Sequence, residues 1–194
     1  DRSDDSWLTG REHNKTYKKI SEHKVAIVGC GSVGSSVSRL LLQSGIRKMM
    51  LWDDDLMKSE NSSRHLLGFD SVYKNKALAL ASRLREEFPN VYIEAFNEDW
   101  TEDSKNNKKI AEADIIVSCT AHWNTEQQLI KRQSEDILGA IVFAFVEAHA
   151  MAGHVIVNQV DSNAFNSWHI TEGKYIGALK YPATYWKENT RKRI

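Results

Sequence analysis

The hydrophobic period changes along this chain, and each change marks an element. Val25 to Val28 is a continuous apolar run that ends at Gly29-Cys-Gly31-Ser-Val-Gly34, after which Val33, Val37, Leu40 and Leu41 recur at helical spacing. The segment reads as strand, tight turn and helix. Arg47 to Trp52 predicts a second strand. Residues 56–70 lack periodicity, and Ala77, Leu80, Ala81, Leu84 and Phe88 then mark one face of a helix that stops before Pro89, because proline disfavours helical backbone in the residue preceding it. Val91 to Phe96 alternates like a strand, Asp103 to Ala111 predicts a short helix, and Asp114 to Ser118 reads as a compact buried strand. Thr125 is the expected cap of a helix carrying Leu129, Ile130 and Gln133, and Ala140 to Val146 reads as a strand buried on both faces. Gly153 to Val160 follows too closely for a helical crossover, so it is expected to run antiparallel to its predecessor.

This alternation predicts an α/β, Rossmann-like fold. Its sheet is expected to hold five parallel strands, with helices on both faces and an antiparallel extension after about residue 150. The expected organisation is a polar N-terminal segment over residues 1–22 with a short helix outside the core, a main domain over 23–160, and a C-terminal segment over 161–194. Phe165, Trp168, Tyr175, Tyr181, Tyr185 and Trp186 make that last segment too aromatic for a solvated tail, and it is expected to dock on the same domain, with a dimer or partner surface as the alternative.

Composition narrows the partners. The 194 residues include 26 lysines and arginines against 26 aspartates and glutamates, so no global basic field attracts nucleic acid or an anionic membrane. No apolar run approaches membrane-spanning length and no signal segment opens the stretch, so a cytoplasmic location is expected. The sequence begins with Asp1 rather than methionine, as a processed or trimmed chain would. Cys30 and Cys119 lack the spacing of a zinc site or a redox pair. His149 and His154 have no third ligand and read as polar groups near the ligand pocket.

The glycine turn carries the first chemical signal. Gly29 permits the sharp turn, Gly31 lets the backbone approach a ligand and Gly34 lets helix and strand pack, while free N–H groups at the helix start attract an anion. The second strand ends in Asp53-Asp54-Asp55, where an acid can hold ribose hydroxyls. Strand, helix, strand and acid in this order point to a nucleotide. Asp53, Asp55, Asn61, Arg64 and Lys76 then gather an acid pair, an amide and two cations beyond the carboxyl ends of adjoining strands. Hydride transfer has no need of those cations. A triphosphate attacked at its α-phosphorus does need them, because negative charge builds on the phosphoryl oxygens and the departing pyrophosphate.

With these residues in place, the chain resembles the ThiF/MoeB-type adenylyltransferases, which include the activating-enzyme domains for ubiquitin-like proteins. The resemblance covers roughly residues 20–160. It is carried by Gly29-Cys-Gly-Ser-Val-Gly34, Leu51-Trp-Asp-Asp-Asp-Leu-Met-Lys-Ser-Glu-Asn-Ser-Ser-Arg64, Tyr73-Lys-Asn-Lys-Ala77, Val117-Ser-Cys-Thr120 and Gly153-His-Val-Ile156. It implies ATP- and magnesium-dependent adenylation of the C-terminal glycine carboxylate of a ubiquitin-like or sulfur-carrier protein, with release of pyrophosphate. By that match Asp53 holds the ribose, Gly31 lies against the nucleotide, Asn61 and Arg64 contact the phosphates, and Lys76 steadies the α-phosphate. Arg11 is the candidate for an arginine that enters a neighbouring subunit's site, which implies a homodimer. The family places a magnesium-binding aspartate after the strand ending at Ser118, but Ala121-His122 stands there, leaving Asp55 as the metal-ligating candidate. His65 occupies a position where relatives often carry glutamine. No cysteine follows Cys119 and the family's zinc-binding cysteine pairs are missing, so adenylation is expected of this stretch and transthiolation is not. Two other readings stay open: an NAD-dependent oxidoreductase, and a non-catalytic scaffold for a ubiquitin-like protein.

Overall fold

The computed structural model describes residues 15–101, 108–135, 138–147, 152–158, 169–171 and 174–176. Helix α1 (Lys15–Glu22) leads into β1 (Lys24–Val28), followed by α2 (Ser32–Ser44), β2 (Lys48–Trp52), α3 (Lys76–Glu87) and β3 (Tyr92–Phe96). Then come β4 (Ile115–Ser118), α4 (Trp123–Ser134), β5 (Ala140–Val146) and β6 (Gly153–Asn158). The sheet order is β3-β2-β1-β4-β5-β6. Strands β1 to β5 are parallel and β6 is antiparallel to β5, with Val142 opposite Val157. The expected Rossmann-like architecture is therefore present.

Strands β1, β2 and β4 are central, and their apolar runs are buried on both faces. On one face Ile27, Met49 and Leu51 pack with Leu42 of α2 and Leu80 and Leu84 of α3. On the other, Val28, Met50, Trp52 and Phe143 pack with Trp100, Ile110 and Leu129 of α4. Alternate residues of one strand thus feed two separate cores. Ile20 of α1 packs at the margin of the first, as expected of a short helix outside the main layers. A buried polar pair ties α4 to the sheet: Gln133 Nε2 donates to the Asn158 carbonyl at 3.0 Å and to the Gly139 carbonyl at 2.8 Å.

The structure moves one expected boundary. Helix α4 begins at Trp123 with His122 as its N-cap, so Thr125 is not the cap; it is buried in the first turn, its hydroxyl 3.3 Å from His122 Nδ1. Residues 56–70, without a helical or strand period, contain two short 3₁₀ turns, Ser59–Asn61 and Phe69–Ser71. Of the helix expected over 103–111, residues 108–110 are helical and 102–107 lie outside the described residues. In the C-terminal segment, β7 (His169–Thr171) pairs antiparallel with β8 (Lys174–Ile176), and the expected docking of its aromatic side chains lies outside the described residues. Among the described residues no helix is long and apolar enough to cross a membrane.

Candidate nucleotide site

Strand order reverses between β1 and β4, which opens a crevice at their carboxyl ends. The glycine turn fills the mouth of that crevice. Gly29 adopts φ +89°, a left-handed conformation that favours glycine. A Cβ on Gly34 would lie 1.9 Å from the Gly29 carbonyl oxygen, so this residue permits the turn to close against α2. A Cβ on Gly31 would meet nothing within 4 Å. Gly31 instead faces open space in two adjoining clefts.

The first cleft has a volume of about 340 Å³ and is lined by Gly31, Trp52, Asp53, Asp55, Lys76 and Trp100, among others. Asp53 binds the turn directly: Oδ2 accepts from Cys30 N at 2.6 Å, and Oδ1 accepts from Asp55 N at 2.9 Å. Burial pushes the Asp53 carboxyl up, opposed by these backbone bonds and by the nearby Lys76 charge. Trp52 stacks on Phe96 with ring centroids 4.4 Å apart. Among the described residues the buried indole N–H groups of Trp52 and Trp100 have no acceptor.

Asn75 organises the wall between β2 and α3. Its Nδ2 donates to the Asp53 carbonyl at 2.7 Å, to Asn97 Oδ1 at 2.6 Å and more weakly to the Asp55 carbonyl at 3.2 Å, while its Oδ1 caps α3 by accepting from Leu78 N at 3.0 Å. Lys76, the first residue of α3, has a side chain only 11% exposed, with Nζ 2.7 Å from Asp55 Oδ2. That burial rules out a freely solvated surface charge. Asp55 is 67% exposed and turns toward the cleft.

The second cleft, about 260 Å³, shares Gly31, Lys76 and Cys119 with the first and is also lined by Ser32, Asn61, Arg64, His65 and Val146. Asn61 Oδ1 accepts from Lys58 N at 3.0 Å and closes the first 3₁₀ turn, and Arg64 Nη1 donates to the Glu60 carbonyl at 3.0 Å. His65 is buried behind them. Its Nε2 lies 2.6 Å from the Cys30 carbonyl, and Leu67 N donates to its Nδ1 at 3.0 Å. An amide must donate and a carbonyl must accept, so this is the neutral ring with its proton on Nε2.

Thus Gly31, Asp53, Asp55, Asn61, Arg64 and Lys76 converge on two clefts that share Gly31 and Lys76. Gly29 shapes the turn and Gly34 packs behind it, and Arg11 lies outside the described residues. His149 also lies outside them, while His154 is held by Glu147 at 2.6 Å against the Phe145 ring and lines neither cleft. Asn75 and His65 are the organising residues that sequence reading left without a role. A cap position ahead of α3 is a usable signal for Asn75; for His65 the signal is its place after Arg64, where relatives often carry glutamine.

Magnesium commonly takes one or two carboxylates and completes its shell with water and phosphate oxygens. Asp55 fits that role. Among the described residues no group of three or more acidic, histidine or cysteine side chains forms a metal cluster. Ala121, where the resemblance expects an aspartate, is exposed at φ 50° and lines the second cleft without a charge. Neither cysteine is poised as a nucleophile: burial pushes the Cys119 thiol up to about 12 and raises that of Cys30 well above its usual range.

A doubly wound sheet with a glycine turn, an acid at the next strand end and two cations beyond it, the largely covered Lys76 and the exposed Arg64, defines a nucleotide-binding α/β protein. The chain belongs to the ThiF family, which it matches over residues 8–166. It is 32% identical over 111 residues to the ATP-dependent ubiquitin transferase-like protein Cap2 of Enterobacter hormaechei, covering 57% of this chain and 18% of that protein. It is 27% identical over 154 residues to ubiquitin-like modifier-activating enzyme 5 of Arabidopsis thaliana, covering 72% and 36%. Among solved structures, Escherichia coli MccB with AMPCPP and MccA superposes with a TM-score of 0.61 at 26% identity, covering 67% of this chain and 39% of that one. MccB with ATP gives 0.60. The chain therefore spans well under half the length of these relatives.

Proposed function

We propose that this protein uses ATP with magnesium to adenylate the C-terminal glycine carboxylate of a ubiquitin-like or sulfur-carrier protein, releasing pyrophosphate. The observation that carries this reading is Lys76, whose side chain is 11% exposed and which lines both clefts and shares the second with Asn61 and Arg64. The likeness to proteins named for ATP, ubiquitin-like modifiers and the MccA peptide supports it. In the reaction a carboxylate oxygen attacks the α-phosphorus, the bond to the β-phosphate oxygen breaks, and the charge moves onto pyrophosphate. Asp53 holds the ribose hydroxyls. Lys76 stabilises the α-phosphoryl oxygens, and Arg64 and Asn61 hold the phosphates that leave. Asp55 would hold magnesium, and the ion would supply positive charge against the phosphates.

Neither Cys30 nor Cys119 is suited to accept the acyl group, so the adenylate is handed to another nucleophile or to a catalytic segment outside this stretch. Arg11 is proposed to reach a second copy's site in a homodimer. ATP–pyrophosphate exchange tests the reading: exchange that depends on a partner ending in glycine is expected, together with protection from thermal unfolding by ATP and not by NAD. Protection by NAD alone would overturn it. The uncharged Ala121 beside the cleft favours a second reading, a scaffold that binds the partner without chemistry. ATP binding without exchange for any glycine-ending partner would select that reading.

A further inference from the structure

The strongest unassigned feature is the double hydrogen bond of His65, which joins two segments that have no covalent reason to stay together. Cys30 belongs to the turn after β1, and His65 to the arm that carries Asn61 and Arg64. The arm has a fold of its own, with His65 N donating to the Asn61 carbonyl at 3.0 Å. Side-chain links from this arm to the turn and to α2 are few: His65 Nε2 to the Cys30 carbonyl, and Leu66 N to Ser35 Oγ at a longer 3.3 Å. His65 also fastens the arm's exit by accepting from Leu67 N. It is only 9% exposed, so neither bond is readily replaced by water.

We propose that neutral His65 is a positioning residue that clamps the Asn61–Arg64 arm against the glycine turn, and that protonating it opens the clamp and weakens nucleotide binding in acid. This rests on the reading of the two clefts as an ATP site. The imidazolium carries a proton on both nitrogens: the Nε2–H bond to the Cys30 carbonyl survives, but the bond from Leu67 N is lost and two N–H groups face each other, which drives the arm's exit away from the ring. Arg64 and Asn61 then lose their fixed position across from Lys76.

The surroundings favour the neutral ring. Burial pushes the His65 imidazole down, and the Lys76 and Arg64 charges act in the same direction, while the bond to the Cys30 carbonyl opposes them. Lys76 comes from α3 and Arg64 from the arm itself; the turn presents the Cys30 carbonyl, and α2 presents the neutral Ser35 hydroxyl to the neighbouring Leu66. The unfolded chain therefore binds this proton more readily than the folded one. Stability from this residue is complete above the ordinary histidine range, about pH 6.5, and is lost as the pH falls toward the lowered folded value. A glutamine amide presents a donor and an acceptor with nearly the same separation as the two ring nitrogens and does not titrate. Glutamine at 65 is thus the conservative replacement that keeps a donor for the Cys30 carbonyl and removes the proton switch.

Two measurements on wild type, His65→Gln and His65→Leu test the clamp, both between pH 5 and pH 8. The first needs no nucleotide: NMR of the imidazole nitrogens and of the Leu67 amide. Expected are the Nε2–H tautomer at pH 8 and loss of the Leu67 bond as the ring protonates. The opposite tautomer at pH 8, or an unchanged Leu67 bond through protonation, overturns the proposal. The second is ATP affinity by calorimetry. Wild type is expected to weaken by up to about tenfold per pH unit below the folded value, as one linked proton requires. His65→Gln should bind within about threefold of wild type at pH 8 and lack this dependence. An acid limb of wild-type size in His65→Gln, or tighter wild-type binding in acid, overturns the proposal. His65→Leu should bind weakly at every pH if it folds; the glutamine variant carries the test if it does not. If the free protein shows the clamp opening but ATP never binds, the nucleotide reading fails and the clamp itself stands.

Discussion

The two walls of the cleft are organised differently, although both present a cation toward Gly31. On the α3 side, Asn75 bonds the end of β2, Asn97 after β3 and the first turn of α3, so Lys76 projects from the junction of three regular elements. On the other side, Asn61 and Arg64 sit on a 3₁₀ turn whose bonds are largely internal, and His65 supplies the short link to the glycine turn. The first wall is preformed by the packing of the sheet. The second is placed by the short His65 bond together with the longer Leu66–Ser35 bond and the buried Leu67, and His65 is the titratable member of that set. In an electrostatically driven reaction, preorganised charge contributes most where it need not move. Lys76 therefore carries the steady part of the site, and Arg64 the part that pH can loosen.

The largest effect should come from the element common to both walls. Gly34→Ala forces a Cβ to within 1.9 Å of the Gly29 carbonyl, and is expected to destabilise the fold by about 3 kcal/mol or more, read by thermal denaturation. A wild-type melting temperature would show that the turn is not pinned by this contact. Next in size is Lys76→Ala, expected to cut exchange about 10²- to 10³-fold with the fold retained, since it removes a charge that faces the reacting phosphate. Full exchange in this variant would remove the preformed wall from the chemistry. Asn75→Ala should lower stability by about 2 kcal/mol, combining a lost helix cap with buried acceptors left unpaired. Denaturant titration reads this, and a change under about 0.5 kcal/mol would abolish the contrast between the walls. Arg64→Ala should leave stability within about 0.5 kcal/mol, as its side chain is exposed, while raising the KM for ATP at least tenfold. The smallest change in stability is expected for Gly31→Ala, whose Cβ meets nothing, although ATP affinity should fall because the methyl group enters both clefts.

Much of this was legible before any coordinates. β1 and β2 read as strands because central parallel strands are apolar on both faces, and the first helix announced itself through Val33, Val37 and Leu41. The start of α4 was misplaced because threonine so often caps helices, while the structure instead buries Thr125 inside the first turn. His65 is legible only as a hydrogen-bonding side chain where relatives often carry glutamine, and that does not reveal its partner. Its partner is the carbonyl of Cys30, far away in sequence, and a pairing of that kind has no periodic signature.

Taken alone, then, the sequence determined the order of strands and helices, the glycine turn and the set of acids and cations available to a nucleotide. Local backbone preference and hydrophobic period encode these directly. Only the tertiary structure decided that Gly34 serves packing while Gly31 faces open cleft space, that Lys76 pairs with Asp55, and that Asn75 and His65 help hold the two walls. Those outcomes depend on distances between segments remote in the chain, where a single ångström separates contact from collision.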